Sequence, residues 1–259
     1  MSRPVPPIYY INLARETARR ELMESAFARL GVQAERIDAV FWKELPPEQQ
    51  QALYSPTLNA RQFHLPLIAG EMGCYASHIQ AWRRLLASQA SCAVVLEDDV
   101  QLHDTFVDAV RDIGALPAGW DMVKLIGRRQ VGREKIRRRQ PLNDRTDLVE
   151  YSKMPSYAAG YVVSRQGAEK LLAKRVPFGR PVDIDLRYWW EADLQILGIY
   201  PPAVALDVTH QTSGIGKRNV RPHWSVGWRK FANKVKIIVL NAYHRATRPS
   251  ALRTVQRKG

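Results

Sequence analysis

Three consecutive acidic residues follow an apolar segment near the middle of the chain. The segment AVVLEDDV runs from Ala93 to Val100 and contains Glu97, Asp98 and Asp99. Its apolar, β-branched start is typical of a buried strand in a parallel sheet. The carboxyl ends of such strands face the ligand crevice of open α/β sheets, and carboxylate oxygens bind hard divalent cations. The segment therefore predicts a cation site that could also hold phosphates, with a solvated acidic turn as the alternative.

Hydrophobic periodicity on both sides of this segment predicts alternating strands and helices, which indicates a mostly parallel α/β sheet. Strands are predicted over 8–13, 34–40, 93–96, 121–126, 157–164 and 199–206, and helices over 16–30, 70–87, 104–113 and 165–173. The last strand contains two prolines, which favour a sheet edge. Residues 43–69 are mixed and loop-rich, and the charge-dense stretch 127–150 is predicted to be an exposed, mobile loop.

The positive charge of the chain is concentrated at its C-terminal end. The net charge is +14 over 259 residues, and no acidic residue follows Asp207. That last part carries 12 lysines and arginines, so residues 1–207 account for only 14 − 12 = +2. This imbalance predicts a nearly neutral folded domain over 1–215 and a basic tail over 216–259.

The tail also has a helical pattern of apolar residues. Their spacing places them on one helix face, with cations on the other faces; they are Trp224, Trp228, Phe231, Val235, Ile238 and Ala242. An aromatic stripe beside basic residues is typical of a helix that lies in an anionic membrane surface. Packing of this helix on the domain, with a solvated basic face, is one alternative, and nucleic-acid binding is another.

Three further features of the sequence bear on the cellular compartment. No run of about 18 apolar residues is present, as a transmembrane helix would require. The N-terminal residues lack the apolar segment of a signal peptide. Cys74 and Cys92 form no disulfide framework or CxxC pair. We therefore expect a cytoplasmic protein that lies peripherally on the inner face of the cytoplasmic membrane.

Several motifs together resemble glycosyltransferase family 25, the lipopolysaccharide and lipooligosaccharide glycosyltransferases. They keep the order and spacing of that family across roughly residues 8–216. They are INLARETARR at 11–20, GEMGCYASHIQAW at 70–82, VVLEDDV at 94–100, WDMVKL at 120–125, AAGYVVSRQGAEKLL at 158–172, PVDIDL at 181–186 and HQTSGIG at 210–216.

The resemblance implies a GT-A type α/β fold and an inverting transfer of a hexose, with galactose favoured. The donor would be a UDP-sugar, and the acceptor would be a sugar hydroxyl of a lipid-linked oligosaccharide of the lipopolysaccharide type. Oxygen ligands favour Mn²⁺ or Mg²⁺ over zinc. The expected metal ligands are Glu97, Asp99 and His210.

The same motifs suggest which residues bind the donor. Arg15, just after the first strand, carries a planar guanidinium suited to a diphosphate; Arg19 is either a donor ligand or a surface charge. The full set of expected donor-binding residues is Asn12, Arg15, Arg19, Glu71, His78, Glu97, Asp98, Gln211 and Ser213.

An inverting displacement needs a base near the acceptor hydroxyl. Asp183, in the PVD motif, is the first candidate, followed by Asp185 and Glu191. Trp189 and Trp190 are expected to stack on the acceptor sugar, although tryptophans are often core residues.

Two other classes of function compete with a transferase. A pI near 10.0 suggests a nucleic-acid-binding protein, but the excess charge lies in one tail that also carries an apolar stripe. We therefore expect no specific nucleic-acid partner. A catalytically inactive scaffold is the other class, and the intact EDD and PVD motifs argue against it.

Overall fold

The computed structural model describes residues 4–127, 135–207 and 224–257. Its strands are β1 (Ile8–Asn12), β2 (Glu35–Asp38), β3 (Cys92–Glu97), β4 (Val100–Leu102), β5 (Met122–Lys124), β6 (Ile136–Asn143), β7 (Thr146–Tyr151), β8 (Gly160–Ser164), β9 (Ile196–Tyr200) and β10 (Val204–Leu206). Its α-helices are α1 (Thr17–Arg29), α2 (Pro47–Leu53), α3 (Pro56–Gln62), α4 (Ala69–Ala87), α5 (Phe106–Gly114), α6 (Arg165–Arg175), α7 (Val182–Asp185), α8 (Trp224–Thr247) and α9 (Ala251–Arg257). Short 3-10 segments cover Trp42–Glu44 and Leu186–Ala192.

One large sheet organises the described residues. Its strand order is β2-β1-β3-β8-β5-β9-β7-β6, and β4 pairs separately with β10. The pairings make β8 and β7 antiparallel to the other six strands, which all run in one direction. The predicted fold class, a mostly parallel central sheet flanked by helices, is therefore confirmed.

Hydrophobic cores cover both faces of the sheet, because alternate side chains of each central strand point to opposite faces. Tyr9 and Val95 belong to one core, beneath α4 and α6. Tyr10 and Val94 belong to the other core, with α5 and α9. Since β1 and β3 are parallel neighbours, the polar residues at their carboxyl ends lie at the same edge of the sheet.

Two predictions about the second half of the chain are wrong. Residues 136–150 of the stretch predicted as a loop belong to the β6–β7 hairpin, and β7 pairs with β9, whereas residues 128–134 of that stretch lie outside the described residues. The stretch looked like a loop because alternate residues of β6 are exposed, which dilutes its apolar pattern. The last predicted strand, 199–206, is not one edge strand. Its start belongs to β9, which lies between β5 and β7, and its end is β10, which pairs with β4 in a two-stranded sheet; Pro201 and Pro202 lie between the two.

The two C-terminal helices pack on the domain. Ile237 of α8 is buried in the core beneath α4, and Trp189 Nε1 donates a hydrogen bond to Asn241 Oδ1 of α8 at 3.0 Å. From α9, Leu252 and Val255 are buried in the opposite core. The apolar stripe predicted on α8 nevertheless faces outward, with exposures of 72% for Trp224, 64% for Trp228 and 58% for Phe231. None of the described helices is both long and apolar enough to span a membrane.

Candidate functional site

A cavity opens at the carboxyl ends of β1 and β3, and its empty space, part of it open to solvent, is about 920 Å³. The parallel register places Ile11 opposite Glu97, which brings Asn12 beside the acidic residues. The polar residues that line the cavity are Arg15, Glu16, Arg19, Lys43, Cys74, Ser77, His78, Glu97, Asp98 and Asp99. The structure thus brings most of the predicted donor site together at one edge of the sheet.

The wall opposite the acidic residues depends on a close contact between α4 and the chain near Val40. A side chain at Gly73 would overlap the carbonyl oxygen of Val40, so only glycine allows this approach. Ser77, one turn later, accepts a hydrogen bond from the Val40 N–H at 2.8 Å. These contacts fix the cavity wall that contains residues 39–43.

Asp98 is the best-anchored acid of the cluster. Its carboxylate accepts hydrogen bonds from Asn12 Nδ2 at 2.7 Å and from Arg19 Nη1 at 3.1 Å. Burial raises the pKa of Asp98, while Asn12 and Arg19 partly offset that rise. Arg19 is therefore tied to the cavity rather than to the outer surface, the alternative that the sequence left open.

Asp99 is the acid best placed to accept a cation. Its Oδ1 is buried and has no hydrogen-bond partner among the described residues, and the same is true of Asn12 Oδ1. Burial, together with the charges of Glu97 and Asp98, raises the pKa of Asp99 to about 6. A divalent cation would neutralise this crowding and supply the missing partner, so the residues present fit an oxygen-coordinated metal ion.

His78 connects Glu97 to the core. Its Nε2 lies 3.2 Å from Glu97 Oε1, and its Nδ1 lies 2.9 Å from Tyr161 Oη. Cys74 completes a cluster in which the three possible ligand atoms of Cys74, His78 and Glu97 lie within 4.8 Å of one another. Burial, followed by nearby carboxylates, raises the pKa of Cys74 well above its usual value, which favours the neutral thiol.

Asp183 lies at the start of α7 and is not among the residues that line the cavity, but it is near enough to Glu97 for the two carboxylates to interact electrostatically. Burial raises its pKa, whereas Lys124 and Arg187 lower it and Glu97 raises it. The Asp183 carboxylate also acts electrostatically on Cys74. Asp183 is thus a desolvated carboxylate close to the acidic cluster, as a base for the acceptor hydroxyl would need to be.

The structure argues against Asp185 as a base. Asp185 is buried and accepts hydrogen bonds from Tyr75 Oη at 2.6 Å and Arg180 Nη1 at 2.9 Å. Arg175 forms an ion pair with it at 3.1 Å. Because its oxygens are already occupied, Asp185 anchors α7 and so positions Asp183.

Glu191 is held by the same two arginines. Its carboxylate accepts hydrogen bonds from Arg180 at 2.9 and 3.0 Å and from Arg175 at 2.7 Å. Burial would raise the pKa of Glu191, but Arg180 and Arg175 hold it below the ordinary value. A carboxylate with a lowered pKa and two arginine partners is a poor base, which argues against the predicted catalytic role.

The two tryptophans predicted to stack on the acceptor are core residues. Trp189 is 3% exposed and Trp190 is 7% exposed. They pack at 5.7 Å between ring centroids, and His244 of α8 stacks on Trp190 at 5.2 Å. The structure therefore argues against an acceptor role for these rings, because α8 covers them.

The remaining candidates have mixed outcomes. Arg15 lines the cavity, with its guanidinium 5.0 Å from the centre of the Phe41 ring. Glu71 lies in the first turn of α4, where its carboxylate accepts a hydrogen bond from the Ile68 N–H at 3.1 Å. The other three candidates, His210, Gln211 and Ser213, lie outside the described residues.

Two groups near the site were missed in the sequence. Lys124 is fully buried and donates to the carbonyl oxygens of Pro155, Ser156 and Tyr157 at 2.7, 3.0 and 2.8 Å. A lysine inside the apolar strand of WDMVKL was a signal that could have identified it. Tyr161 gave no such signal, because an aromatic residue in a strand is ordinary.

Comparison with known proteins yields several similar sequences. A protein named Glycosyltransferase 25 family member, from Drosophila melanogaster, is 32% identical over 184 residues, which cover 69% of this chain and 29% of that protein. Procollagen galactosyltransferase 2 from Homo sapiens is 27% identical over 192 residues, covering 69% of this chain and 29% of that protein. The matched segment thus spans less than a third of the length of these relatives.

A solved structure described as a glycosyltransferase involved in the glycosylation of the major capsid of PBCV-1 also matches. It is 11% identical and covers 64% of this chain and 62% of its own chain, with a TM-score of 0.31. A TM-score this low does not support any conclusion about the site.

The sequence profile described as Glycosyltransferase family 25 (LPS biosynthesis protein) matches residues 5–186. This range is more than half of the chain, and it includes β1, α4, β3 and Asp183. The chain belongs to glycosyltransferase family 25.

Proposed function

We propose that this protein transfers a hexose, with galactose favoured, from a UDP-sugar to a sugar hydroxyl of a lipopolysaccharide-type glycan. The observation that carries the proposal is the unpartnered, buried Asp99 Oδ1 in a cluster of three carboxylates at the carboxyl ends of β1 and β3. Family membership supports a glycosyl transfer, and the similarity to proteins named procollagen galactosyltransferase supports galactose as the sugar.

The donor is proposed to lie in the cavity, with its diphosphate toward the acidic cluster. Mn²⁺ or Mg²⁺ would be held by Glu97 and Asp99, and it would neutralise charge that develops on the leaving diphosphate. Asn12 and Arg19 hydrogen-bond to Asp98, which lies between Glu97 and Asp99, and thereby fix this part of the chain beside the cavity. The cations of Arg15 and Arg19 supply further positive charge there.

Asp183 is proposed to accept the proton of the acceptor hydroxyl. Burial raises the pKa of Asp183 toward neutral pH, which suits a general base. The ion pairs of Asp185 with Arg175 and Arg180 anchor α7, the helix that carries Asp183.

The acceptor is proposed to be lipid-linked and the protein to bind an anionic membrane from the cytoplasmic side. The outward-facing aromatic stripe of α8 supports this, together with its exposed cations Lys230, Lys234 and Lys236. A helix with this composition lies in the headgroup region and is attracted to anionic lipids.

The test is release of UDP from a panel of UDP-hexoses, measured with Mn²⁺ and with EDTA. Loss of an outer-shell partner of a metal typically costs about 10- to 100-fold in rate, and Asp99→Asn should cost more than this because it removes a proposed metal ligand. Asp104→Asn, which removes an exposed carboxylate outside the cavity, is the matched control. A chain that releases no UDP from any sugar would be a scaffold, and full activity in EDTA would remove the metal from the proposal.

A further inference from the structure

Three side chains on one wall of the cavity at the carboxyl ends of β1 and β3 differ in chemistry from the acids beside them. Cys74 and His78 lie one turn apart on α4, and Glu97 is the last residue of β3. All three line the cavity, so an ion that enters it meets them. We call these three residues the thiol cluster, because it adds a sulfur ligand that the acidic cluster lacks.

The distances within the thiol cluster suit one tetrahedral ion. Glu97 Oε1 lies 3.2 Å from His78 Nε2 and 4.0 Å from Cys74 Sγ, and the three atoms all lie within 4.8 Å of one another. A tetrahedral zinc ion with ordinary bond lengths would separate such ligand atoms by about 3.4 to 3.6 Å. Side-chain movements of about 1 Å would therefore complete the coordination.

The types of ligand in the thiol cluster select the class of ion. Thiolate, imidazole and carboxylate are the ligands of zinc sites, whereas Mn²⁺ and Mg²⁺ prefer oxygen ligands. Zinc also binds a given set of ligands more tightly than manganese does. Three protein ligands would leave the fourth position of the ion open to water from the cavity. We therefore expect zinc to prefer the thiol cluster and Mn²⁺ or Mg²⁺ to prefer the carboxylates.

His78 is already held in an orientation that suits metal binding. Its Nδ1 lies 2.9 Å from Tyr161 Oη, which accepts a hydrogen bond from Trp82 Nε1 at 2.8 Å. A hydroxyl oxygen has two lone pairs, so Tyr161 can also accept a hydrogen bond from a protonated Nδ1. That tautomer leaves His78 Nε2 free for an ion, and such a bond from the other ring nitrogen is the usual support of a metal-bound histidine.

Binding at the thiol cluster would exchange a proton for the ion. Cys74 binds as a thiolate, so its thiol proton leaves to solvent through the cavity, while the neutral His78 ring keeps its proton on Nδ1. Because burial raises the pKa of Cys74, only an ion with high affinity for sulfur displaces the thiol proton. The contact between His78 and Glu97 is then replaced by a bond from each of them to the ion.

We propose that Cys74, His78 and Glu97 bind a thiophilic divalent cation of the zinc class, and that this ion inhibits the transferase by taking Glu97 away from the metal of the donor. The inhibition rests on the proposed function, which assigns Glu97 to Mn²⁺ or Mg²⁺. Binding of the ion does not rest on it, since the thiol cluster is complete without a donor.

The absorbance of bound Co²⁺ tests the site without turnover, because Co²⁺ adopts zinc ligands and a cobalt–thiolate bond absorbs in the near ultraviolet. The test variant is Cys74→Ala. The matched control is Cys92→Ala, which removes the other cysteine, a buried residue of β3 that does not line the cavity. The absorbance band should appear in the unsubstituted protein and in the control, disappear in Cys74→Ala, and be abolished by Zn²⁺.

Affinity for Zn²⁺ should be at least about 100-fold lower in Cys74→Ala than in Cys92→Ala, because loss of a direct ligand exceeds the about 10- to 100-fold cost of losing an outer-shell partner. The Zn²⁺ concentration that halves UDP release, relative to each variant's own rate without zinc, should differ by the same factor. For the unsubstituted protein this concentration should rise with Mn²⁺, because the two ions compete for Glu97.

A cobalt–thiolate band in Cys74→Ala, or none in the unsubstituted protein, would overturn the site. Equal inhibition of both variants by zinc, or inhibition that Mn²⁺ does not relieve, would overturn the competition for Glu97. A protein that binds Co²⁺ through Cys74 but releases no UDP from any donor would support the site and overturn the proposed function, so the two failures are distinguishable.

Discussion

His78 Nε2 and Glu97 Oε1 lie 3.2 Å apart in the cavity at the carboxyl ends of β1 and β3, and this contact ends a chain of hydrogen bonds from the core. Trp82 Nε1 donates to Tyr161 Oη at 2.8 Å, and Tyr161 Oη lies 2.9 Å from His78 Nδ1. An ionised Glu97 can only accept a hydrogen bond, so the contact fits the His78 tautomer with its proton on Nε2, and Tyr161 can then donate to Nδ1. The buried aromatic residues thereby orient an acid that is proposed to bind metal.

We predict that Tyr161→Phe lowers the affinity for Mn²⁺ but does not abolish Mn²⁺ binding. The substitution removes the partner of His78 Nδ1, and loss of such an outer-shell partner typically costs about 10- to 100-fold in metal affinity or activity. The curve of UDP release against Mn²⁺ concentration should shift to higher concentrations, and the rate of UDP release should partly recover at saturating Mn²⁺. Tyr10→Phe, which removes a hydroxyl bonded to Glu24 outside the cavity, should leave the curve unchanged. An unchanged curve for Tyr161→Phe would show that this chain does not orient Glu97.

For the proposed base, Asp183→Asn should lower turnover by about 10²- to 10⁴-fold, the usual contribution of general-base catalysis. Affinity for the UDP-sugar should change little, since a base acts mainly in the transition state. Single-turnover kinetics and donor titration separate the two quantities. Asp108→Asn, an exposed acid on α5, is the control. If donor affinity collapses while turnover at saturation holds, Asp183 belongs to the donor site instead.

The pH dependence should reveal the same carboxylate. The pKa of Asp183 is raised by burial and lowered by Lys124 and Arg187, and the base works only when ionised. Activity should therefore fall on the acid side at a pH above the ordinary range of aspartate. Arg187→Gln removes a charge that favours the ionised form, so this acid limb should move to higher pH. UDP release across pH, at saturating Mn²⁺, measures the shift; Arg111→Gln on α5 should cause none.

The sequence was sufficient where side-chain type and position in a strand determine the outcome. The acidic cluster, Glu97, Asp98 and Asp99, was predicted at a strand end and does line the cavity. The prediction was possible because an apolar segment such as β3 is recognisable as a buried strand, and the acids follow it directly. It was insufficient where the outcome depends on which side chains the fold pairs. Arg175 and Arg180 are close in sequence to Asp185 and Glu191, but the sequence does not indicate that the two arginines pair with both acids.

The same limit applies to the tail and to the hairpin. The periodicity of α8 identified its apolar stripe, but periodicity alone does not reveal that Ile237 and Asn241 contact the domain. The β6–β7 hairpin was missed because β6 lacks a strong apolar pattern and is stabilised by pairing with β7, which in turn pairs with β9.

Leu252 tests whether the end of the chain is part of the folded domain. It is 4% exposed in the core that contains α5, and Ser250, two residues earlier, donates a hydrogen bond to buried Glu150 at 2.5 Å. Leu252→Ala should therefore lower the free energy of unfolding by about 2 to 4 kcal/mol, measured by urea denaturation. Leu22→Ala, at a side chain that is 50% exposed, should cost far less. Equal stability of the two variants would show that α9 contributes little to the fold.

Membrane binding by α8 is best tested by substitution, because deleting the tail would also remove its buried contacts. Trp228→Ser with Phe231→Ser removes two aromatic side chains that are 64% and 58% exposed. The variant should float poorly with phosphatidylglycerol vesicles, since burial of these rings drives insertion, yet melt at the same temperature. Leu22→Ser removes an exposed apolar side chain from α1 and should bind normally. Salt should weaken binding of the unsubstituted protein, because screening reduces the attraction of its lysines and arginines to anionic lipid. Equal vesicle binding by both variants would exclude this face of α8 as the membrane contact.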